Sequence, residues 1–180
     1  MLLPIRQEKN IDEIIDDNFS VWKIKTKEYQ SNWKFSIVDQ WQHLIWWYSD
    51  DQNLVYDGRL PVIIYWDHTN VVKFINFPFI CGADWVKVFQ FKDGIDVKFM
   101  KYALDWLKPD TQWYRRHYSL LKEIKIPIPP LTTQQAIVAK LDDAMQSIDK
   151  NIALLDDNFI KLIELKASLL HDAFSGKLIV

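Results

Sequence analysis

Ile126-Pro127-Ile128-Pro129-Pro130-Leu131-Thr132-Thr133-Gln134-Gln135 is the stretch that decides the fold. Proline fixes its own φ and drives the preceding residue out of the helical region. Residues 126–130 therefore read as a short strand followed by an extended elbow. Beyond the elbow no Pro or Gly occurs until Gly176. Leu141, Met145, Ile148, Ile152, Leu155, Phe159 and Leu162 recur at spacings of 4, 3, 4, 3, 4 and 3, which is a heptad seam. Leu165 and Leu169 continue it after a shift of the stutter kind. A helix from Thr133 to Ala173 is predicted, roughly 60 Å long at 1.5 Å per residue. That exceeds the width of a domain built from the other residues, so the apolar face requires a partner such as a second chain. Seven seam residues at roughly 1.5–3 kcal/mol each offer a gross gain on the order of 10–20 kcal/mol before ordering costs.

Upstream of the elbow the pattern changes. Ile11, Ile14, Ile15 and Phe19 fall at helical spacing, with Asn10 as a cap. Residues 21–50 are Trp-dense, and Trp41, Leu44, Ile45, Trp47 and Tyr48 suit a buried helix as well as a strand. Asp50-Asp51-Gln52-Asn53 and Asp57-Gly58 read as turns. Pro61–Trp66, Val71–Ile75 and Trp85–Phe91 read as strands by their β-branched and aromatic content, with Asp67-His68-Thr69-Asn70 as a polar loop between the first two. Lys92-Asp93-Gly94 turns the chain. Asp96 then caps a helix whose Phe99, Tyr102, Ala103, Trp106 and Leu107 share one face, and Pro109 stops it. Ser119–Glu123 reads as one helical turn. Short strands, then helices, then one strut define an α+β fold. The boundaries are a globule of residues 1–130 and a helical arm of 131–180.

Composition excludes several classes. A chain of 180 residues is one domain with an appendage, or two small units. One cysteine, Cys81, allows no internal disulfide and no cysteine-based zinc cluster, and reads as a buried small hydrophobe. The opening Met1-Leu2-Leu3-Pro4-Ile5-Arg6 is too short and too soon charged for a signal peptide, and no apolar run approaches the roughly 20 residues of a membrane span. A cytoplasmic location is expected. Four glycines leave no Gly-rich phosphate loop, and the four histidines form no HExxH pair. Neither a Gly-x-Ser-x-Gly elbow nor an Asn-Pro-Pro-aromatic methyltransferase motif is present. The chain is expected to be no enzyme and to hold no metal and no cofactor of its own.

Net charge is −2, but the charge is uneven. Between Lys98 and Ile126 seven Lys or Arg stand against three acids, a local excess of +4. Within it lies Trp113-Tyr114-Arg115-Arg116-His117. Arginine clamps phosphate or reads guanine, and aromatics stack or buttress a backbone. The blander reading is a surface loop whose aromatics pack inward. The loop Asp67-His68-Thr69-Asn70 places short polar groups between two strands, suited either to base edges or to capping the backbone.

A wider resemblance bears on both loops. Leu60–Thr69, Val71–Phe74, Phe77-Pro78-Phe79, Gly82-Ala83-Asp84, Ile95–Leu104 and Tyr114-Arg115-Arg116-His117-Tyr118 resemble one half of a specificity subunit of type I restriction–modification systems. So do Leu121–Leu131, the double Gln134-Gln135 with Ala136-Ile137-Val138, and the closing Leu169–Leu178. The resemblance implies one target-recognition domain followed by one spacer helix, where a usual family member has two such units in tandem. It implies a non-catalytic chain that reads double-stranded DNA. Its partners would be a methyltransferase subunit, which binds S-adenosylmethionine and methylates adenine, and the restriction subunit. Residues 1–59 are shorter than the family's usual first half. A half-unit of this kind is expected to form a homodimer through Leu141, Met145, Ile148, Ile152, Leu155, Phe159, Leu162, Leu165 and Leu169. Asp67, His68, Thr69, Lys73, Trp113, Tyr114, Arg115, Arg116 and His117 are the expected DNA contacts, on loop placement and side-chain chemistry. Two rivals stay open: a helix-mediated adaptor without DNA binding, and the recognition fragment of a fused restriction–methylation enzyme.

Overall fold

The fold comes from a computed structural model that describes residues 7–16, 23–25, 28, 31, 34–39, 41, 43–45, 47–66, 71–82, 86–107 and 118–177. Strand β1 (Glu8–Asn10) runs into a single helical turn, α1 (Ile11–Ile14). Glu13 Oε1 accepts a hydrogen bond from the Asn10 N–H at 3.0 Å, half of a capping box. The turn is shorter than the Ile11–Phe19 periodicity predicts. Ile15 already lies in extended backbone and bridges Phe91, because burial against that strand outweighs continuation of the helix. Phe19 lies outside the described residues.

Then follow β2 (Lys23–Ile24), β3 (Phe35–Val38), β4 (Trp47–Ser49) and a 3₁₀ turn at Gln52–Leu54. Asp51 caps that turn by accepting from the Asn53 N–H. The chain continues through β5 (Val62–Trp66), β6 (Val71–Ile75), β7 (Phe79–Gly82) and β8 (Val86–Phe89). Helices α2 (Val97–Leu107) and α3 (Tyr118–Glu123), strand β9 (Lys125–Pro127) and helix α4 (Leu131–Phe174) complete it.

Three sheets form among the described residues: β1-β9, β2-β7-β3-β4 and β6-β5-β8. β9 pairs antiparallel with β1, so the elbow closes on the start of the described chain. In the four-stranded sheet β7 lies parallel to both β2 and β3, and β3 pairs antiparallel with β4. The three-stranded sheet is antiparallel throughout. β8 shows the expected alternation, with Val86 and Val88 buried and Lys87 exposed.

The main core combines Ile11, Ile14, Ile63, Tyr65, Phe89, Met100, Leu104, Leu121 and Ile126, drawn from α1, β5, β8, α2, α3 and β9. A second cluster lies on the other face of β5, where Val62 and Ile64 meet Val38, Phe79 and Cys81. Cys81 is thus the buried hydrophobe its isolation predicts. α2 is capped as predicted: Asp96 Oδ1 accepts from the Phe99 N–H at 2.8 Å.

Gln134, in the first turn of α4, is fully buried. Its side chain accepts from the Asp96 N–H at 2.8 Å and donates to Pro129 O at 2.8 Å and Gly94 O at 3.1 Å. One amide thus ties the elbow, the turn before α2 and the start of α4 together. Ile137 and Val138 pack on the main core. The first compact unit therefore runs to Val138, later than the 130/131 boundary expected from the elbow, and Ala139–Val180 form the second. Within that second unit α4 is continuous to Phe174, and Gly176, at φ +75°, follows its end as the C-terminal stop signal.

Candidate nucleic-acid interface

Strand register brings several strand ends to one rim of the globule. Val38 pairs with Cys81, so Asp39 and Gly82 leave their sheet side by side. Four residues after Gly82 the chain re-enters at Val86, which pairs with Trp66. Trp66 also pairs with Val71. The ends of β3, β5 and β7 and the starts of β6 and β8 therefore lie at the same edge. Asp67, His68 and Thr69 follow Trp66 in the chain and lie outside the described residues. Trp113, Tyr114, Arg115, Arg116 and His117 likewise lie outside the described residues, between Leu107 at the end of α2 and Tyr118 at the start of α3.

Lys73 is the one expected DNA contact that is described, and its position corrects that expectation. It is only 5% exposed. Its ammonium donates to Asp39 O at 2.9 Å and to His43 O at 2.7 Å. An ammonium held by two backbone carbonyls in the interior cannot also meet a phosphate. Burial holds it below the usual lysine range, and the charge of Asp39 opposes that shift. Asp39 is buried as well, and burial raises its carboxyl. The Trp41 N–H, donated to Asp39 Oδ1 at 3.0 Å, and Lys73 pull it back down. The expectation rested on the nearness of Lys73 to the loop Asp67–Asn70 and on its basic side chain, and lysines are almost never fully buried unless partnered. The carbonyls that satisfy it come from a loop about thirty residues earlier, and no local pattern reports them.

The consequence of that burial is a pinned loop. Asp39 and His43 are held by Lys73, and the Trp41 backbone is held by Asp39. Yet the Trp41 and Leu44 side chains face solvent, 55% and 45% exposed. By residue type Trp41 and Leu44 suit a buried helix or strand; the structure places both outside any helix or strand and exposed, which corrects that expectation. An aromatic and an aliphatic on a polar-pinned loop leave no periodic signal.

At the opposite end of β5, a second polar network braces the β4–β5 connection. The Tyr56 hydroxyl and the Arg59 N–H both donate to Gln90 Oε1, at 2.8 and 2.9 Å. The Arg59 guanidinium reaches Asp16 at 3.1 Å and Asp93 at 3.0 Å. A Cβ at Gly58 would overlap the Tyr56 phenol, so only glycine fits this turn.

The arm carries the other candidate surface. Leu141 is half-buried, and Met145, Ile148, Ile152, Leu155, Phe159, Leu162, Leu165 and Leu169 are exposed, from 42% at Met145 to 66% at Phe159. Leu154, Ile160, Ile163, Leu170 and Phe174 are exposed beside them. Among the described residues no group of three or more His, Cys, Asp or Glu could hold a metal ion, and no helix is long and apolar enough to cross a membrane.

The chain resembles solved chains along nearly its whole length. A chain of a type I R-M system, solved to explain complex assembly and conformational transition, superposes with a TM-score of 0.74 at 20% identity. That match covers 99% of this chain and 48% of the other. The HsdS subunit from Thermoanaerobacter tengcongensis superposes at TM-score 0.63 and 19% identity, covering 99% and 47%. The S subunit of the Type-I restriction-modification system from M. genitalium gives 0.56 and 19%, covering 94% and 46%. The chain thus spans about half the length of the solved chains it matches, and at these identities they attest the α+β fold with its long C-terminal helix. No curated protein matches it. The model of the type I restriction modification DNA specificity domain matches residues 50–156, from the end of β4 through the middle of α4. With more than half of its length inside that match, the chain belongs to the type I restriction–modification DNA specificity family and carries one recognition domain.

Proposed function

We propose that this chain reads a DNA sequence for a type I restriction–modification complex and catalyses nothing itself. The observation that carries the reading is the specificity-domain match over residues 50–156, which includes the rim strands β5 to β8 and the start of the arm. Its partners are double-stranded DNA, a methyltransferase subunit that brings S-adenosylmethionine, and the restriction subunit, all in the cytoplasm. Asp67, His68 and Thr69, with Trp113, Tyr114, Arg115, Arg116 and His117, are the contacts proposed. Lys73 is not among them. The exposed seam of α4 supports a homodimer through Leu141 to Leu169. One recognition domain used twice about a two-fold axis meets two identical, inverted half-sites, so the target is an interrupted palindrome.

Methylation mapping of the complex assembled with its methyltransferase tests this directly. Two inverted copies of one short half-site around a fixed gap are expected. A continuous target removes the dimer reading, and methylation without sequence preference removes the function. Arg115→Ala and Arg116→Ala, compared on target and scrambled duplexes at several salt concentrations, assign the loop. A phosphate contact weakens both duplexes alike and lowers the salt slope by about one, whereas a base contact costs about 1–3 kcal/mol on the target alone.

A further inference from the structure

We infer that the loop from Asp39 to Ile45 is a specificity-determining element, that Trp41 and Leu44 are its DNA-facing side chains, and that buried Lys73 is its positioning residue. The inference rests on the reading of this chain as a DNA specificity subunit and extends it to Trp41 and Leu44, outside the family match, which begins at residue 50.

Three observations carry it. First, a charged side chain is expensive to bury, and an apolar residue would fill the same space at no such cost. Lys73 is nevertheless 95% buried, and its bonds go to two carbonyls of one loop. What the ammonium supplies is a fixed position for the backbone at Asp39 and at His43. Second, the side chains beside these fixed points are turned outward. Asp39 pins the Trp41 N–H, while the Trp41 and Leu44 side chains stay mostly in water. Backbone held from within beside an exposed aromatic and an exposed aliphatic has the form of a contact surface made before the partner arrives. Third, Asp39 follows Val38, which pairs with Cys81 at the end of β7, and Lys73 on β6 holds Asp39 and His43, so Trp41 and Leu44 stand near the edge where β5 ends and β6 and β8 begin.

The chemistry fits base recognition by shape. Apolar side chains select the thymine methyl in the major groove, and larger ones wedge against a base step. Such contacts contribute on the matching sequence and little elsewhere. Phosphate neutralisation, the sequence-independent part of binding, would come from other residues. The loop should therefore control the ratio of target to non-target affinity and leave the non-target value unchanged.

The test uses the full chain assembled with its methyltransferase. The duplexes are the target found by methylation mapping and a scrambled version of it. Wild type, Trp41→Ala, Lys73→Met and the double variant are compared well below their melting temperatures. Trp41→Ala and Lys73→Met should each lower the target-to-scrambled ratio about tenfold or more, with scrambled binding and DNA-free capture of methyltransferase unchanged. The double variant should be no worse than Lys73→Met alone, because both act through one loop. A lysine that served only stability would lower the melting temperature and leave the ratio intact. If Lys73→Met does not fold, Trp41→Ala still decides, since its side chain is mostly exposed. A wild type that discriminates beside a Trp41→Ala that discriminates equally well overturns the inference and leaves the proposed function standing. Loss of methyltransferase capture by Trp41→Ala assigns the loop to the protein partner and also overturns it. A wild-type complex with no preference for target fails the functional reading itself.

Discussion

Leu104 and Leu155 are chemically identical and lie on helices of opposite fate. Leu104, on α2, is fully buried among Ile63, Tyr65, Phe89 and Met100. Leu155, on α4, is 66% exposed, in a row of residues in the same condition. Both helices have an apolar stripe, but only α2 has a sheet of its own chain to cover it. Apolar periodicity states that a face must be buried. It does not state by what, and here the answer differs between the globule and the arm.

The largest effect should come from attacking the arm where it is expected to associate. Ile152→Asp places a carboxylate near the middle of the seam, and in a homodimer it does so twice. We expect the dimer dissociation constant to rise about 1,000-fold or more, ~4 kcal/mol, measured by analytical ultracentrifugation. The melting temperature of the globule should not move, because residue 152 lies outside the first compact unit. A wild-type chain that sediments as a monomer, and ignores methyltransferase as well, would refute the association.

Next comes the paired substitution that gives the comparison its numbers. Leu104→Ala should destabilise the globule by about 2–5 kcal/mol, through lost transfer energy and the cavity left behind. Leu155→Ala, measured on dilute monomer, should stay within about 0.5 kcal/mol of wild type. Urea denaturation followed by tryptophan fluorescence reads the globule alone, since no Trp lies beyond Trp113. A Leu155→Ala effect as large as that of Leu104→Ala would mean that the arm's seam is covered within one chain.

How much of this was legible follows the same division. β5, β6, α2 and α4 could be read because each is a local pattern: β-branched runs, a capped stripe, a heptad. β7 could not. Phe79, Ile80, Cys81 and Gly82 are all buried, so no alternation marks the strand, and its partners β3 and β2 lie about forty and about sixty residues earlier in the chain. The double glutamine was visible as a motif, but Gln134 as a three-way tie was not, because its partners Gly94 and Asp96 are distant in sequence. Lys73 failed for the same reason. Sequence shows a residue's type and period, and it stays silent about a polar group whose partner is a backbone atom far along the chain.

Alkaline pH separates the regions in a third way. Tyr56 is buried, and burial, with Asp57 adding to it, pushes its phenol up to about 12. The folded chain then keeps this proton after the unfolded chain, at about 10, has lost it. The stability it contributes is full below about pH 10, falls through the interval and is gone above about pH 12. Two units correspond to at most about 2.7 kcal/mol. The arm contains no tyrosine from Leu131 onward, so its helical signal should not follow this titration. Tyr56→Phe should flatten that part of the stability profile relative to wild type, measured by denaturation at pH 9, 10.5 and 12. Equal slopes would mean that the phenol is reached by water in the folded state.

The smallest effect tests the far side of the arm. Lys161 Nζ meets Asp157 Oδ2 at 2.6 Å, one turn apart on α4, with side chains 67% and 55% exposed. An acid N-terminal to a lysine at this spacing is the favourable order on a helix. Solvent and salt still screen an open pair, and two long side chains lose freedom in making it. Asp157→Asn should therefore cost about 0.3–0.5 kcal/mol in the assembled protein at low salt, and less at high salt. The position is informative because it lies away from the seam, about half a turn round the helix from Phe159 and Ile148. If one face of α4 associates and the other stays wet, this pair must behave as a surface pair in the dimer and with methyltransferase bound. A cost of several kcal/mol, insensitive to salt, would place the pair in a buried contact. The arm would then be enclosed on both faces, as in a bundle of more than two helices.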